Sequence, residues 1–222
     1  MIPWTELAVA TAPDGERLRL LRRGDEFSIR LPGGNELMKS RLGGSVEALA
    51  TLALARLGSR PGPGVLIGGL GMGFTMRAAQ AIAPPSARLV VSEIVCEMVG
   101  WAREHMAPVF GDGLSDSRLE VVLRDVGAMI GQAAASFDAI LLDVDNGPEG
   151  LTRTGNDGLY SQNRLCAARR ALTPGGVLSV WSAAPSAEFA ARLLRCGFDA
   201  STHSVRAGKG KRGSRHTFWI AA

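Results

Sequence analysis

The chain has 222 residues, 46% of them hydrophobic and 21% charged, enough apolar mass for the core of one α/β domain with a small appendage. No apolar run approaches about 18 residues, which excludes a membrane-spanning helix. The net charge of +4 traces to "RAGKGKRGSR" (206–215), where Arg206, Lys209, Lys211, Arg212 and Arg215 leave 20 basic against 21 acidic residues elsewhere; this argues against a chain-wide nucleic-acid-binding surface.

The N-terminal "MIPWTELAVATAPDGE" has no basic region before its apolar part and carries Glu6 early, so no secretory signal is expected. A small β unit follows. "RLRLLRRG" and "EFSIRLPG" alternate apolar and polar residues around the turn "RGDE", and "ELMKSR" is a third short strand. "SVEALATLALARLG" (45–58) predicts a helix capped by Ser45 and ended by Gly58, with Leu52, Leu54 and Leu57 as core.

From residue 65 strands and helices alternate. Strand "VLIGGL" leads into helix "GFTMRAAQAIA", which Pro84-Pro85 ends. Strand "RLVVSEI" precedes helix "CEMVGWAREHM", and strand "RLEVVLRDV" precedes a short helix near 126–135. Strand "FDAILLDV" precedes helix "QNRLCAARRAL", and a Pro174-Gly175-Gly176 turn opens strand "GGVLSVWSA". Helix "SAEFAARLLRCG" and the strands "FDASTHSVRA" and "RHTFWIA" close the chain. Strands separated by helices predict a parallel sheet with crossover helices. The last two strands, joined by the short basic loop, predict a hairpin and one antiparallel strand.

Four strand ends carry chemistry. Gly69, Gly71 and Gly73 follow the first parallel strand, where glycines allow a sharp turn and close approach of a ligand. Glu93 ends the second strand, 20 residues beyond Gly73, placed to accept both hydroxyls of a ribose or to cap the next helix. Asp125 follows the third, where it can accept from an adenine amino group while the Val126 N–H meets a ring nitrogen; a helix cap is the alternative. Asp143 ends the fourth strand, with Asp145 two residues on. In an open α/β sheet all of these lie at one C-terminal edge, where the ligand crevice forms. The spacing G-x-G-x-G, together with the terminal hairpin, points away from a G-x-G-x-x-G nicotinamide site.

These features resemble the class I S-adenosylmethionine-dependent methyltransferase fold and, within it, the spermidine synthase-like (polyamine aminopropyltransferase) family. "VLIGGLGMGFTMR" is similar to that family's "VLIIGGGDGGxLR", "VVSEIVCEMV" to its "VExDxxVV", and "FDAILLDVDNGPEG" to its "YDVIIxDSSDPxGP". The resemblance covers about residues 16–185. It implies that Gly69, Gly71 and Gly73 surround the methionine-derived part of a nucleoside, that Glu93 holds its ribose, and that Asp125 contacts adenine. Asp143 would orient or deprotonate an attacking amine.

The chain departs from that pattern in three places. Met72 stands where the motif has an aspartate that binds the aminopropyl amine. "DVDN" replaces "DSSD", so the last acid aligns with Asn146 unless Asp145 takes its role. Tyr160 is the single tyrosine, and Glu47 alone survives of the "Y(H/Q)E" before the first helix. Asp143, Asp145, Glu47 and Glu149 are a thin set of acids for a polyamine.

The expectation is therefore a Rossmann-like doubly wound α/β fold. Its sheet would be mostly parallel with a terminal antiparallel hairpin. A small β unit would occupy residues 1–44 and the nucleoside-binding catalytic domain residues 45–222. The function expected is alkyl (aminopropyl) transfer from S-adenosylmethionine or its decarboxylated form to a small amine. The alternatives are methyl transfer to an unknown acceptor and a non-catalytic cofactor-binding or interaction protein. No metal is expected, since His105, His203 and His216 form no ligand pattern. Cys96, Cys166 and Cys196 are at least 30 residues apart, which reads as reduced thiols in a cytoplasmic protein. The resemblance alone implies a homodimer. Trp101 is read as packing on the sheet, with adenine stacking as the alternative. Trp181 and Ser182 end a strand beside the crevice and are candidates for a pocket role. The basic loop is read as a solvated hairpin tip, with phosphate or RNA recognition as the alternative.

Overall fold

The computed structural model describes residues 2–41, 46–144, 147–148, 158–206 and 215–222. Two sheets organise it. The first is antiparallel, in the order β1(Thr5–Thr11)-β2(Arg17–Arg23)-β3(Glu26–Arg30)-β4(Glu36–Lys39). Its last three strands match the predicted β unit. β1 was not predicted: only Ala10 is buried along it, so its side chains carry little of the alternation that marks a strand. It is an edge strand, fastened by the Glu6–Arg19 ion pair.

The second sheet is assembled from β5(Gly64–Gly68), β6(Arg88–Glu93), β7(Leu119–Leu123), β8(Phe137–Leu142), β9(Leu172–Ser182), β10(Ala200–Arg206) and β11(Arg215–Ala221), in the order β10-β11-β9-β8-β5-β6-β7. β5 to β9 pair in parallel, while β11 runs antiparallel to both β9 and β10. The period-2 geometry of the parallel strands sorts their side chains onto two faces. Val65, Ile67, Leu89, Val91, Ala139 and Leu141 share one core cluster with α1(Val46–Leu57), α2(Phe74–Ile82), α3(Cys96–Arg103) and the N-terminal sheet. Leu66, Val90, Ile140, Leu142, Leu178 and Val180 face α5(Val126–Gln132), α6(Gln162–Ala171) and α7(Ala187–Arg195). Helices thus cover both faces, and the N-terminal sheet joins the first. Leu57 is buried and Leu52 and Leu54 pack against the core, as expected. Gly58 ends α1 with φ 71°, its N–H reaching the Leu54 carbonyl; Ser45, the expected cap, lies outside the described residues.

Three local readings change. The Pro174-Gly175-Gly176 segment is not a turn before β9 but an irregularity within it: Phe137 pairs with Leu172, and pairing resumes at Ala139 with Val177. Side chains hold the looped-out residues. Arg60 donates to the Pro174 carbonyl, and both Arg60 and Thr173 donate to Asp138. Second, a further short helix for which no expectation was stated, α4(Ala107–Phe110), follows α3 and places the buried Phe110 against Gly73 at the start of α2. Third, the expectation of three reduced thiols is corrected. α6 and α7 pack side by side, bringing Cys166 and Cys196 to a Cα–Cα distance of 4.9 Å, and they form a disulfide. Tertiary packing, which a 30-residue spacing does not reveal, makes this pair. Cys96 is exposed and free. No described helix is long and apolar enough to cross a membrane.

Candidate active site

The parallel strands β5, β6 and β8 end together, and their ends line one cleft. Its floor contains Gly69 and Gly71 after β5, Ser92 and Glu93 at the end of β6, Asp125 and Val126 after β7, and Asp143 and Val144 after β8. The glycine turn needs its glycines for two reasons. Gly71 has φ 50° and lies against Met38, whose Sδ sits 3.6 Å from where a Cβ would be. Gly73 has φ 72°, and a Cβ there would come within 2.5 Å of the Phe110 ring. Gly73 does not line the cleft. It starts α2 and makes room for Phe110, so it acts one step behind the surface.

Glu93 is buried and both oxygens of its carboxylate are engaged. Oε2 accepts from the Leu70 N–H at 2.9 Å, and Oε1 from the N–H groups of Ile94 and Val95, both at 2.8 Å. One side chain therefore ties the glycine turn to the loop after β6. Oε2 retains one further acceptor position, so the expected ribose contact is compatible with this role. Asp125 realises its helix-cap alternative: Oδ1 accepts from the Ala128 N–H at 2.6 Å at the start of α5. It does so at the exposed rim of the same cleft, between Arg124 and Val126.

Asp143 is different. It is half-buried, and Thr75 Oγ1, on the first turn of α2, donates to its Oδ2 at 3.1 Å. Desolvation in the cleft raises its pKa to about 6, partly opposed by the Thr75 hydrogen bond. A carboxyl group held near neutrality is suited to take a proton at working pH. Its expected companions Asp145, Asn146 and Glu149 lie outside the described residues, as do Lys209, Lys211 and Arg212 of the basic loop.

The remaining candidates separate. Glu47 is exposed on α1 and does not line the cleft. Tyr160 is buried behind it, donating its hydroxyl to the Val144 carbonyl at 3.1 Å and packing edge-on against Phe189. Trp101 is core, as expected. Trp181 is buried in the same core and meets the His216 ring edge-on at 4.8 Å; Ser182 Oγ accepts from the Ala184 N–H. Met72 is buried in the core and does not face the cleft. Among the described residues no cluster of His, Cys, Asp and Glu is placed to hold a metal ion.

Sequence reasoning missed two sets of residues. Leu18, Ile29, Leu37 and Met38 bring the N-terminal sheet over the cleft as an apolar wall. Their alternation was legible, but not the surface they would cover. Thr75 carried a usable signal: it is a hydroxyl on the first turn of the helix that leaves the glycine turn.

An open, mostly parallel sheet with this strand order, a glycine turn after its first parallel strand and acids at the next strand ends defines a Rossmann-like fold of the class I methyltransferase type. The spermine/spermidine synthase domain model matches residues 65–190, more than half of the chain. The chain belongs to the spermine/spermidine synthase family. It is 35% identical over 113 residues to a polyamine aminopropyltransferase of Nitrosomonas europaea, covering 50% of this chain and 33% of that protein. It is 29% identical over 175 residues to one of Mycobacterium tuberculosis, covering 77% of this chain and 31% of that one. The chain thus spans about a third of the length of the curated relatives it matches. The spermidine synthase structure from Thermotoga maritima superposes with a TM-score of 0.76 at 20% identity, over 97% of this chain and 72% of that one. A spermidine synthase bound to the transition state analogue AdoDATO gives 0.74 at 20% identity, over 97% and 71%. Both share the fold.

Proposed function

We propose that the cleft binds an adenosyl sulfonium, decarboxylated S-adenosylmethionine, and transfers its aminopropyl group to a small amine. The observation that carries this reading is Asp143: a carboxyl group raised to about 6, set beside a glycine turn in a nucleoside-type cleft. The family membership and the names of the relatives support the same chemistry.

The residues fit such a donor. Gly69 and Gly71 leave a backbone surface without side chains, Glu93 has acceptor capacity for a ribose, and Asp125 and Val126 offer an acceptor and an N–H at the adenine end. The donor supplies a good leaving group, a thioether. The protein's task is then to position the acceptor in line and to keep its nitrogen unprotonated. Asp143 takes one proton from the incoming ammonium. The freed lone pair forms the C–N bond, the C–S pair returns to sulfur, and a secondary ammonium and a thioether leave.

A coupled assay for thioether release tests this, with decarboxylated S-adenosylmethionine or S-adenosylmethionine as donor and a panel of amines as acceptors. Release from the decarboxylated donor is expected. Methyl transfer from S-adenosylmethionine is the second reading, favoured by Met72 where the family motif carries an aspartate. Turnover with S-adenosylmethionine alone would establish it, and no turnover with either donor would sink both.

A further inference from the structure

The cleft is supported by the helices on the sheet face opposite the N-terminal sheet. Val126 and Val144, which line it, both pack on Gly68 at the end of β5: a Cβ there would lie 3.3 and 3.2 Å from their side chains. α6 and the residue before its cap hold the backbone at both places. Arg164 donates to the Gly127 carbonyl at 2.9 Å, next to Val126. Tyr160, which precedes the cap Ser161, donates its hydroxyl to the carbonyl of Val144 itself at 3.1 Å. Val144 follows Asp143, so this second bond fixes the backbone beside the proposed base.

α7 in turn holds Tyr160. Arg192 donates to the Tyr160 carbonyl at 2.9 Å, and the Phe189 ring meets the Tyr160 ring edge-on at 5.9 Å. The Cys166–Cys196 disulfide closes this arrangement by joining α6 to the end of α7. Cys196 ends α7 one turn after Arg192, and its N–H donates to the Arg192 carbonyl at 3.2 Å. Both cysteines are half-buried rather than core residues, within reach of a small thiol. The covalent bond restrains α7 against α6 and, through Arg192 and Tyr160, restrains Val144.

We propose that the Cys166–Cys196 disulfide is a redox-responsive latch on the cleft: closed, it keeps the cleft in its high-affinity form for the nucleoside, and a dithiol opens it. This rests on the nucleoside-binding reading of the cleft. The chemistry is thiol–disulfide exchange. A thiolate of the dithiol attacks one sulfur, and the S–S bond breaks to give a mixed disulfide and one cysteine thiolate. The dithiol's second thiolate then attacks the mixed disulfide and releases the other cysteine. Two electrons and two protons pass to Cys166 and Cys196, and the dithiol leaves as its own cyclic disulfide. With the bond open, noncovalent contacts alone hold α7 on α6, and the nucleoside must order Val144 as it binds.

Calorimetry with methylthioadenosine, on the chain with the disulfide closed and after reduction by dithiothreitol, tests this. Alkylation verifies each state, since one thiol, Cys96, reacts before reduction and all three cysteines react after it. The Kd is expected to rise at least about fivefold on reduction and to return on reoxidation. Both titrations are run well below the melting temperature of the reduced form. A lower melting temperature with an unchanged Kd would overturn the latch, because a merely structural staple behaves that way. Linkage gives a reciprocal measurement. Saturating methylthioadenosine should shift the equilibrium in mixtures of reduced and oxidised dithiothreitol toward the disulfide by the same factor, and no shift would overturn the latch as well. Tyr160→Phe keeps the ring on Phe189 and deletes the hydroxyl. It is expected to weaken binding in the closed form and to shrink the ratio of reduced to oxidised Kd; an undiminished ratio would overturn the route through Tyr160. Failure of methylthioadenosine to bind the closed form is a separate result: it removes the nucleoside reading and the latch with it.

Discussion

Strand β8 carries an aspartate near each end, and the two are opposite in setting. Asp138, near the start, accepts three hydrogen bonds, from Arg60, from Thr173 and from the Gly64 N–H, and the Arg60 contact is also an ion pair at 2.6 Å. Burial pushes its pKa up, but these donors outweigh that and leave it below the usual carboxylate value. Asp143, just past the other end, has one neutral donor, and burial prevails. The same residue type at the two ends of one strand is a structural clamp in one place and the proposed base in the other. What separates them is the number of donors that meet each carboxylate, since both lose water.

The linkage signs are opposite as well. Asp138 contributes stability that is fully present above the unfolded carboxylate pKa near 4 and is lost as pH falls through its lower folded value. Asp143, with a folded pKa of about 6, binds a proton more readily folded than unfolded, so it costs stability as pH rises from about 4 to 6. The proposed base is thus maintained against the stability of the fold, the trade-off expected of an active site.

The largest expected effect follows from that contrast. Asp143→Asn removes the proton acceptor and should lower turnover by about 10²–10⁴-fold, the usual span of general acid–base catalysis. It should also raise the melting temperature at pH 8, because the costly ionised carboxylate is gone. A variant that keeps full activity would remove the base assignment; one that melts lower would mean Asp143 is a clamp like Asp138.

Asp138→Asn should do the reverse. It leaves Arg60 without its charge partner and should cost about 2–4 kcal/mol by denaturant titration, with activity of the folded fraction little changed. The loop within β9 depends on this network, so weakened protection of residues 172–177 in hydrogen exchange is the local signature. Unaltered stability would show that Asp138 is not the clamp its contacts describe.

Glu93 tests whether the two categories are exclusive. It is held by three donors, as Asp138 is, yet lines the cleft like Asp143. Glu93→Ala should weaken nucleoside binding by about 1.5–3 kcal/mol in calorimetry, the size of hydrogen bonds to a charged group. It should lower stability as well, because three backbone N–H groups lose their acceptor. Lost stability with unchanged affinity would place Glu93 with Asp138 alone.

This contrast also explains what the sequence disclosed. The strand–helix alternation, the glycine turn and the acids at strand ends are periodic or positional, and the fold follows from them. Asp138 and Asp143 look alike in "FDAILLDV", because their partners come from Arg60, Thr173, Gly64 and Thr75, 35 to 78 residues away. The same limit hid the Cys166–Cys196 pair and the apolar wall from the N-terminal sheet. Asp125 shows a third case: both of its readings were open, and the cap is realised at the rim of the cleft, where the proposed ligand contact would also fall.

Thr75→Val gives the smallest effect and the finest test. Valine keeps the shape of threonine but deletes the hydroxyl that donates to Asp143 Oδ2. That bond stabilises the ionised form, so its loss should raise the Asp143 pKa further above 6, by roughly one unit. The acid limb of the kcat/KM profile should then move to higher pH by the same amount. Activity at pH 6 should fall several-fold while activity at pH 9 is nearly unchanged, and Thr75→Ser should restore the original profile. A uniform loss at every pH would mean that Thr75 merely packs the first turn of α2. A shifted limb would show that the glycine turn sets, through one hydroxyl, the pH at which the neighbouring strand end begins to work.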